Sequence, residues 1–261
     1  MTSIVECHGV TKHYSNGDIK VPALHSVDLS IEKGDFASLA GPSGSGKTTL
    51  LNIIGGLDQP SGGSVKIDGQ ELNGLGGDAL AKLRLHKIGF VFQAYNLIPV
   101  LTAEENVAFV LQLMGLDAAK RRARAKEVLR DVALDGLHDR RPARLSGGQQ
   151  QRVAVARALA SKPAIILADE PTANLDSKTA DDLITLMSRL NESSGITFLM
   201  ATHDARVIAR TRRHIVIGDG RVVSDKRQNQ DRADPDIRPR YPLVPQIAGS
   251  PLPERGHIAA A

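Results

Sequence analysis

The sequence predicts an α/β fold in which helices wrap a parallel sheet, with an antiparallel β subdomain before it and a helical subdomain inserted within it. Three observations predict this. Apolar runs of strand length at Phe36–Ala40, Ile88–Phe92, 164–168 and 196–201 alternate with helix-periodic stretches, and such alternation implies parallel strands joined by crossover helices. The first run leads into a glycine-rich turn and then a helix, the strand, loop and helix order of a P-loop. From Thr102 to Ala160 the apolar spacing is helical throughout.

At the N-terminus, Ile4-Val5-Glu6-Cys7 and Val27-Asp28-Leu29-Ser30-Ile31 alternate apolar and polar residues on either side of a turn-rich Ser15-Asn16-Gly17-Asp18. An antiparallel β subdomain fits that pattern. Phe36–Ala40 reads as a buried strand and the stretch from Lys47 to about Ile54 as a helix. Val65-Lys66-Ile67 before Asp68-Gly69 is a short strand entering a tight turn, and Ile88–Phe92 is a further buried strand. The inserted helical subdomain, about 94–160, contains helices over 103–114, 118–132 and 149–160. Pro163 interrupts, and then come strand 164–168, helix 177–190 and strand 196–201. After the turn at Asp219-Gly220, residues 227–261 carry Pro235, Pro239, Pro242, Pro245, Pro251 and Pro253 without apolar periodicity. This predicts a mostly disordered tail behind an ordered domain of about residues 1–226.

A hydrophobic content of 41% in 261 residues is enough to bury a sizeable core, so the class is globular. No run approaches the roughly 18–20 apolar residues that cross a bilayer, and the start lacks an apolar signal core, so a cytoplasmic location is expected. Cys7 is the only cysteine, which rules out an intrachain disulfide. The formal charge of +4 suits a phosphorylated ligand, an anionic membrane surface or nucleic acid. With 3% aromatic residues and no Trp, the chain lacks the stacking platforms of single-strand binders, and no nucleic-acid partner is expected.

Gly41-Pro42-Ser43-Gly44-Ser45-Gly46-Lys47-Thr48 matches G-x-x-x-x-G-K-[ST]. Glycines there let backbone N–H groups converge on phosphate oxygens at a helix N-terminus. Lys47 would meet the β and γ phosphates, Thr48 would offer its hydroxyl to Mg²⁺, and Thr49 continues the helix. Ile165-Ile166-Leu167-Ala168-Asp169-Glu170 is an apolar strand ending in two carboxylates. The first would hold Mg²⁺ and the second would stand beside the γ-phosphate. Pro171 disfavours helical backbone at Glu170 and predicts an extended residue there.

Leu145-Ser146-Gly147-Gly148-Gln149 opens the helix before Ala160. Ser146 and Gln149 also spell a capping box. Two glycines in a first helical turn cost about 1 kcal/mol each relative to alanine, which a cap alone does not explain. Bare backbone at a helix N-terminus suits the approach of an anion.

Taken together these segments resemble the ATP-binding subunit of ABC transporters from about Ile4 to Val223. The resemblance makes Tyr14 the adenine-stacking aromatic, residues 41–48 the Walker A loop and Gln93 the Q-loop contact to Mg²⁺ and water. It makes 145–149 the signature, 165–169 Walker B, Glu170 the catalytic glutamate, Asn174-Leu175-Asp176 the D-loop and His203 the switch histidine. It implies ATP and Mg²⁺ as ligands and a second copy stacked head to tail, so that the signature of one caps the γ-phosphate of the other. It also implies integral membrane permease subunits as partners and a place on the inner face of the cell membrane. Asn52-Ile53-Ile54-Gly55-Gly56-Leu57-Asp58 and Ser146-Gly147-Gly148-Gln149-Gln150-Gln151-Arg152 are similar to the lipoprotein-release and macrolide-export branch.

Ala173 stands where that branch often has Gly, and the proline-rich tail is outside the shared pattern. Two other uses of the same site are weighed. One is a force-transmitting ATPase that regulates a cell-wall-remodelling complex without transport. The other is a soluble relative in translation or DNA repair, which the absence of paired cassettes and long coiled coils disfavours.

Overall fold

In a computed structural model, residues 2–17 and 19–228 are described. Two sheets form the frame. The first is a long hairpin, β1 (Ser3–Asn16) against β2 (Ile19–Glu32), extended by β4 (Gly62–Ile67) and β5 (Gln70–Glu71) in the order β2-β1-β4-β5. The second contains β3 (Phe36–Ala40), β6 (Ile88–Phe92), β7 (Ile165–Asp169), β8 (Thr197–Thr202), β9 (Arg213–Gly218) and β10 (Arg221–Arg227), in the order β10-β9-β3-β8-β7-β6. Every neighbouring pair in it is parallel except β9 with β10.

Strands β3 and β8 are buried along their whole length, which is why they read as unbroken apolar runs. Helix α1 (Lys47–Ile54) lies between the sheets, and Leu50, Leu51, Ile53 and Ile54 seal one core with Leu39, Leu167 and Ile215. A second core joins the other face of the parallel sheet to the inserted helices α3 (Ala103–Leu113), α4 (Ala118–Asp131) and α5 (Gly147–Ala160) and to α6 (Ser177–Ser194).

Helices α2 and α7 and the hairpin β9–β10 lie beyond the sequence reading. Helix α2 (Gly77–Lys87) buries only Leu80 and Leu83, so it carries no apolar stripe, and no side chain caps its start at Gly76. Helix α7 (Ala205–Arg210) is a turn and a half long with Val207 alone buried. The hairpin β9–β10 encloses the Asp219-Gly220 turn, and the alternating burial of Ile215 and Ile217 was available as a signal.

Strand β10 includes Arg227, the first residue of the expected tail. Its guanidinium meets Asp35 at 2.9 Å and Glu32 at 3.2 Å, beside Arg213, which pairs with the same Asp35 at 2.7 Å. The expected disorder of the remaining tail concerns residues 229–261, outside the described residues. Among the described residues no helix is long and apolar enough to cross a membrane.

Candidate active site

The parallel order β3-β8-β7-β6 sets four loops in a row along the C-terminal edge of the sheet, where ligands of open α/β sheets bind. The loop after β3 is 41–46, β8 leads to His203, β7 to Glu170 and β6 to Gln93.

The loop after β3 turns on glycines in the left-handed region. Gly46 has φ 105 and caps α1, and a Cβ there would stand 2.8 Å from the Ala23 carbonyl, so a side chain would collide with the hairpin. Nothing lies within 4 Å of where a Cβ on Gly44 would sit, which leaves the cradle open. Lys47 is buried, and its ammonium donates to the Gly41 and Pro42 carbonyls, both at 2.8 Å. It is already folded over the loop that would hold phosphate. Thr48 donates to Asp169 Oδ1 at 3.3 Å, so the hydroxyl and the carboxylate expected to share a metal are adjacent. Burial raises the Asp169 carboxyl above its ordinary value and the charge of Glu170 adds to this, against the hydrogen bond from Thr48 and the charge of Lys47. A cation between Thr48 and Asp169 would relieve that cost.

The residues therefore fit a magnesium nucleotide. Ser45 Oγ is also buried without a partner, a polar atom left over in the cradle wall. Among the described residues no group of three His, Cys, Asp or Glu could hold a metal.

Glu170 departs from the expected extended backbone. Its φ is 46, in the left-handed region that side chains rarely adopt. The reason is local: the chain reverses at once, with the Ala173 N–H donating to the Glu170 carbonyl at 3.2 Å, while the Glu170 N–H still pairs with Ala201 at 2.9 Å. Both carboxylate oxygens are engaged. Thr202 donates to Oε2 at 3.2 Å and His203 Nδ1 lies 2.7 Å from Oε1. The second of these contacts joins two predicted residues, whereas Thr202 had no signal in the sequence beyond its place before His203.

Behind these groups runs a set of ties that the sequence did not disclose. Thr202 also accepts from the Asp204 N–H at 3.0 Å, and Asp204 in turn accepts from Thr172 at 3.2 Å. Gln151 of α5 is fully buried and donates to the Pro171 carbonyl at 2.8 Å and the Phe92 carbonyl at 3.4 Å. Asn174 donates to the Gln93 carbonyl at 3.0 Å, while the Gln93 side chain remains exposed.

Among the described residues no hydrogen bond joins residues 145–149 to the phosphate loop. Ser146 and Gln149 form the full capping box, with Gln149 N donating to Ser146 Oγ at 3.3 Å and Ser146 N donating to Gln149 Oε1 at 3.0 Å. Gly148 has a packing reason of its own, because a Cβ there would run into the Thr179 methyl group. Tyr14 stands on the hairpin as a residue 45% exposed, open to a planar partner.

The family profile described as ABC transporter matches residues 24–173. The chain belongs to that family. The ABC cassette is 49% identical over 225 residues to the lipoprotein-releasing system ATP-binding protein LolD of Anaeromyxobacter dehalogenans, covering 86% of this chain and 94% of that protein. It is 45% identical over 232 residues to the macrolide export ATP-binding/permease protein MacB 1/2 of Paracoccus denitrificans, covering 89% of this chain and 35% of that protein. The ABC cassette thus spans about a third of the macrolide export protein. The dimeric, post-hydrolysis ATP-binding cassette MJ0796 bound to ADP and Pi superposes with a TM-score of 0.80 at 48% identity, covering 86% of this chain and 99% of that one. The branch read from the sequence is the one in which these relatives fall, and the ABC cassette is an ATP-hydrolysing domain of that type.

Proposed function

We propose that two copies of this chain pair head to tail around two ATP molecules and drive a separate integral membrane permease that exports a substrate or handles lipoproteins or peptides. The observation that carries this reading is the division of the site. The phosphate loop, Asp169, Glu170 and His203 converge on one sheet edge, while residues 145–149 present an exposed Ser146 elsewhere. A second copy supplies what the first edge lacks, and the dimeric cassette MJ0796 supports that arrangement.

In the closed pair Tyr14 stacks on adenine and residues 41–49 cradle the phosphates. Leu145, Ser146, Gly147, Gly148 and Gln149 of the other copy approach the γ-phosphate with their backbone N–H groups. Lys47 neutralises charge on the β and γ phosphates. A magnesium ion held by Thr48 and Asp169, with Gln93 beside it, would supply the bridging charge across the phosphate oxygens. Glu170 takes a proton from the attacking water, and His203 leaves its contact with Glu170 to hydrogen-bond the γ-phosphate.

The permease docks in the apolar groove lined by Leu57, Leu85, Phe90, Phe92, Val110 and Leu113, whose wall at Phe92 adjoins Gln93. In this reading the complex sits on the cytoplasmic face of the membrane. The names of the relatives, a releasing system and an ATP-binding/permease protein, support such a partner.

Size-exclusion chromatography of Glu170→Gln tests the pairing. It elutes as a dimer with ATP and as a monomer with ADP, and adding Ser146→Arg restores the monomer. A Glu170→Gln variant that stays monomeric at high ATP overturns the sandwich. Purification of the tagged chain from detergent-extracted membranes tests the partner: an integral membrane protein accompanies the wild type and is lost from Leu113→Arg.

A further inference from the structure

The sequence singles out Tyr14 for its ring, yet in the structure its hydroxyl has a partner. It donates to Asp58 Oδ2 at 3.0 Å. Asp58 Oδ1 accepts from Lys12 Nζ at 2.6 Å, and the same ammonium donates to the Gln59 carbonyl at 2.8 Å. Lys12 and Tyr14 stand two apart on β1 and so share a face of the strand. This brings Lys12 Nζ to 4.9 Å from the centroid of the Tyr14 ring, within cation–π range. The ammonium thus covers one side of the ring of a residue that is 45% exposed, and the open side is left for a flat partner.

Asp58 is itself fixed. The Leu57 and Asp58 N–H groups both donate to the Asn52 carbonyl, at 2.8 and 3.2 Å, so the residue is bound to the last turn of α1. Helix α1 begins at Lys47 and Thr48 and is eight residues long. At 1.5 Å per residue it spans about 12 Å from the phosphate end to the base end. Burial opposes ionisation of Asp58, but the hydrogen bonds from Lys12, Tyr14 and the Gln59 N–H outweigh it and hold the carboxyl below its ordinary value. The strand side is fixed too: Lys12 is the β-ladder partner of Leu24, whose Cδ2 lies 2.9 Å from where a Cβ on Gly46 would sit.

A plain ion pair stapling β1 to α1 would need only Lys12 and Asp58. The hydroxyl contact and the cation beneath the ring go beyond that. We infer that Lys12 and Asp58 are positioning residues for the adenine platform, holding the Tyr14 ring at a set distance from the phosphate loop through α1. This rests on the reading of Tyr14 as the base-stacking residue, and the test separates the two.

Calorimetry with two probes, ATP and inorganic tripolyphosphate, each with magnesium, distinguishes base from phosphate recognition. Tyr14→Ala weakens ATP by about fivefold, within the range of a stacked ring pair, and leaves tripolyphosphate unchanged. Asp58→Ala and Lys12→Met each weaken ATP by roughly two- to fivefold and leave tripolyphosphate unchanged. Tyr14→Phe weakens ATP no more than Asp58→Ala, and adding it to Asp58→Ala costs nothing further, because Asp58→Ala has already removed the hydroxyl contact. Asp58→Asn keeps an oxygen for the hydroxyl and recovers most of the loss, which a folding defect would not.

If Tyr14→Ala weakens ATP alone while Asp58→Ala changes neither probe, the platform stands and its anchoring is overturned. If Asp58→Ala weakens both probes equally, the residue acts on the phosphate loop and the anchoring is overturned. If Tyr14→Ala leaves ATP unchanged, the stacking reading fails and the anchoring fails with it.

Discussion

Glu170 is held in an unfavourable backbone conformation with both carboxylate oxygens engaged by its own chain. A left-handed conformation at a residue with a side chain costs about 1–2 kcal/mol, and such cost collects at functional positions. The arrangement keeps the carboxylate at the edge of β7 without handing it to solvent. Glu170→Gln preserves the shape and removes the proposed proton acceptor, so on that reading turnover falls by about a hundred- to ten-thousand-fold while ATP affinity is kept. Rapid-quench measurement of phosphate release beside calorimetric binding checks both halves. At this scale the sequence disclosed the groups that form motifs, Lys47, Thr48 and Asp169 among them. It could not disclose Asp58 or Thr202. Asp58 reaches Tyr14 across 44 residues and Thr202 reaches Glu170 across 32, contacts created only when separate strands and helices pack.

Among the elements, helix starts carry unusual demands. Gly148 lies against Thr179, whose hydroxyl is itself held by Asp176 Oδ2 at 2.6 Å and is not free to swing away. Gly148→Ala gains helix propensity but overpacks this contact, and the net effect is a loss of about 1–2 kcal/mol in stability. Thermal unfolding of the single variant, compared with Gly148→Ala plus Thr179→Ser, shows the loss and its partial repair.

The same Asp176 caps α6, and hydrogen bonds from the Thr179 hydroxyl and N–H hold its carboxyl below the ordinary 3.8. A depressed folded value means the stabilisation is present above 3.8 and is lost as pH falls through the lower folded value. Asp176→Asn keeps a capping oxygen without that titration, so its Tm declines less steeply than that of the wild type below pH 3.8. Elements with a long periodic face were legible beforehand. Helix α2 and helix α7 were not, because two buried leucines or one buried valine make no period.

For the whole molecule, the last described strand decides where the domain ends. Arg227 closes a cluster with Asp35, Glu32 and the buried Arg213, so a chain cut after Gln228 keeps its Tm. One cut before Arg227 loses stability, because Asp35 Oδ1 and Glu32 lose a cation and the β9–β10 ladder loses its last pair with Arg213. Differential scanning calorimetry of the two truncations distinguishes them. Strand β10 includes Arg227, which the sequence reading assigned to the tail, since a polar edge strand and a polar tail have the same composition.

The proposed division of the site between the phosphate loop of one copy and residues 145–149 of another bears on reaction order. A working site assembled from halves on two molecules makes dilute turnover second order in subunit. At saturating ATP the rate should rise with the square of protein concentration until dimers saturate, and a permease that holds two copies together should convert it to first order. A strictly linear rate over a wide dilution series of the isolated chain would mean that one molecule is sufficient. With second-order turnover, by contrast, an unassembled copy at low abundance would be nearly idle, and ATP consumption would follow the number of complete complexes rather than the number of chains made.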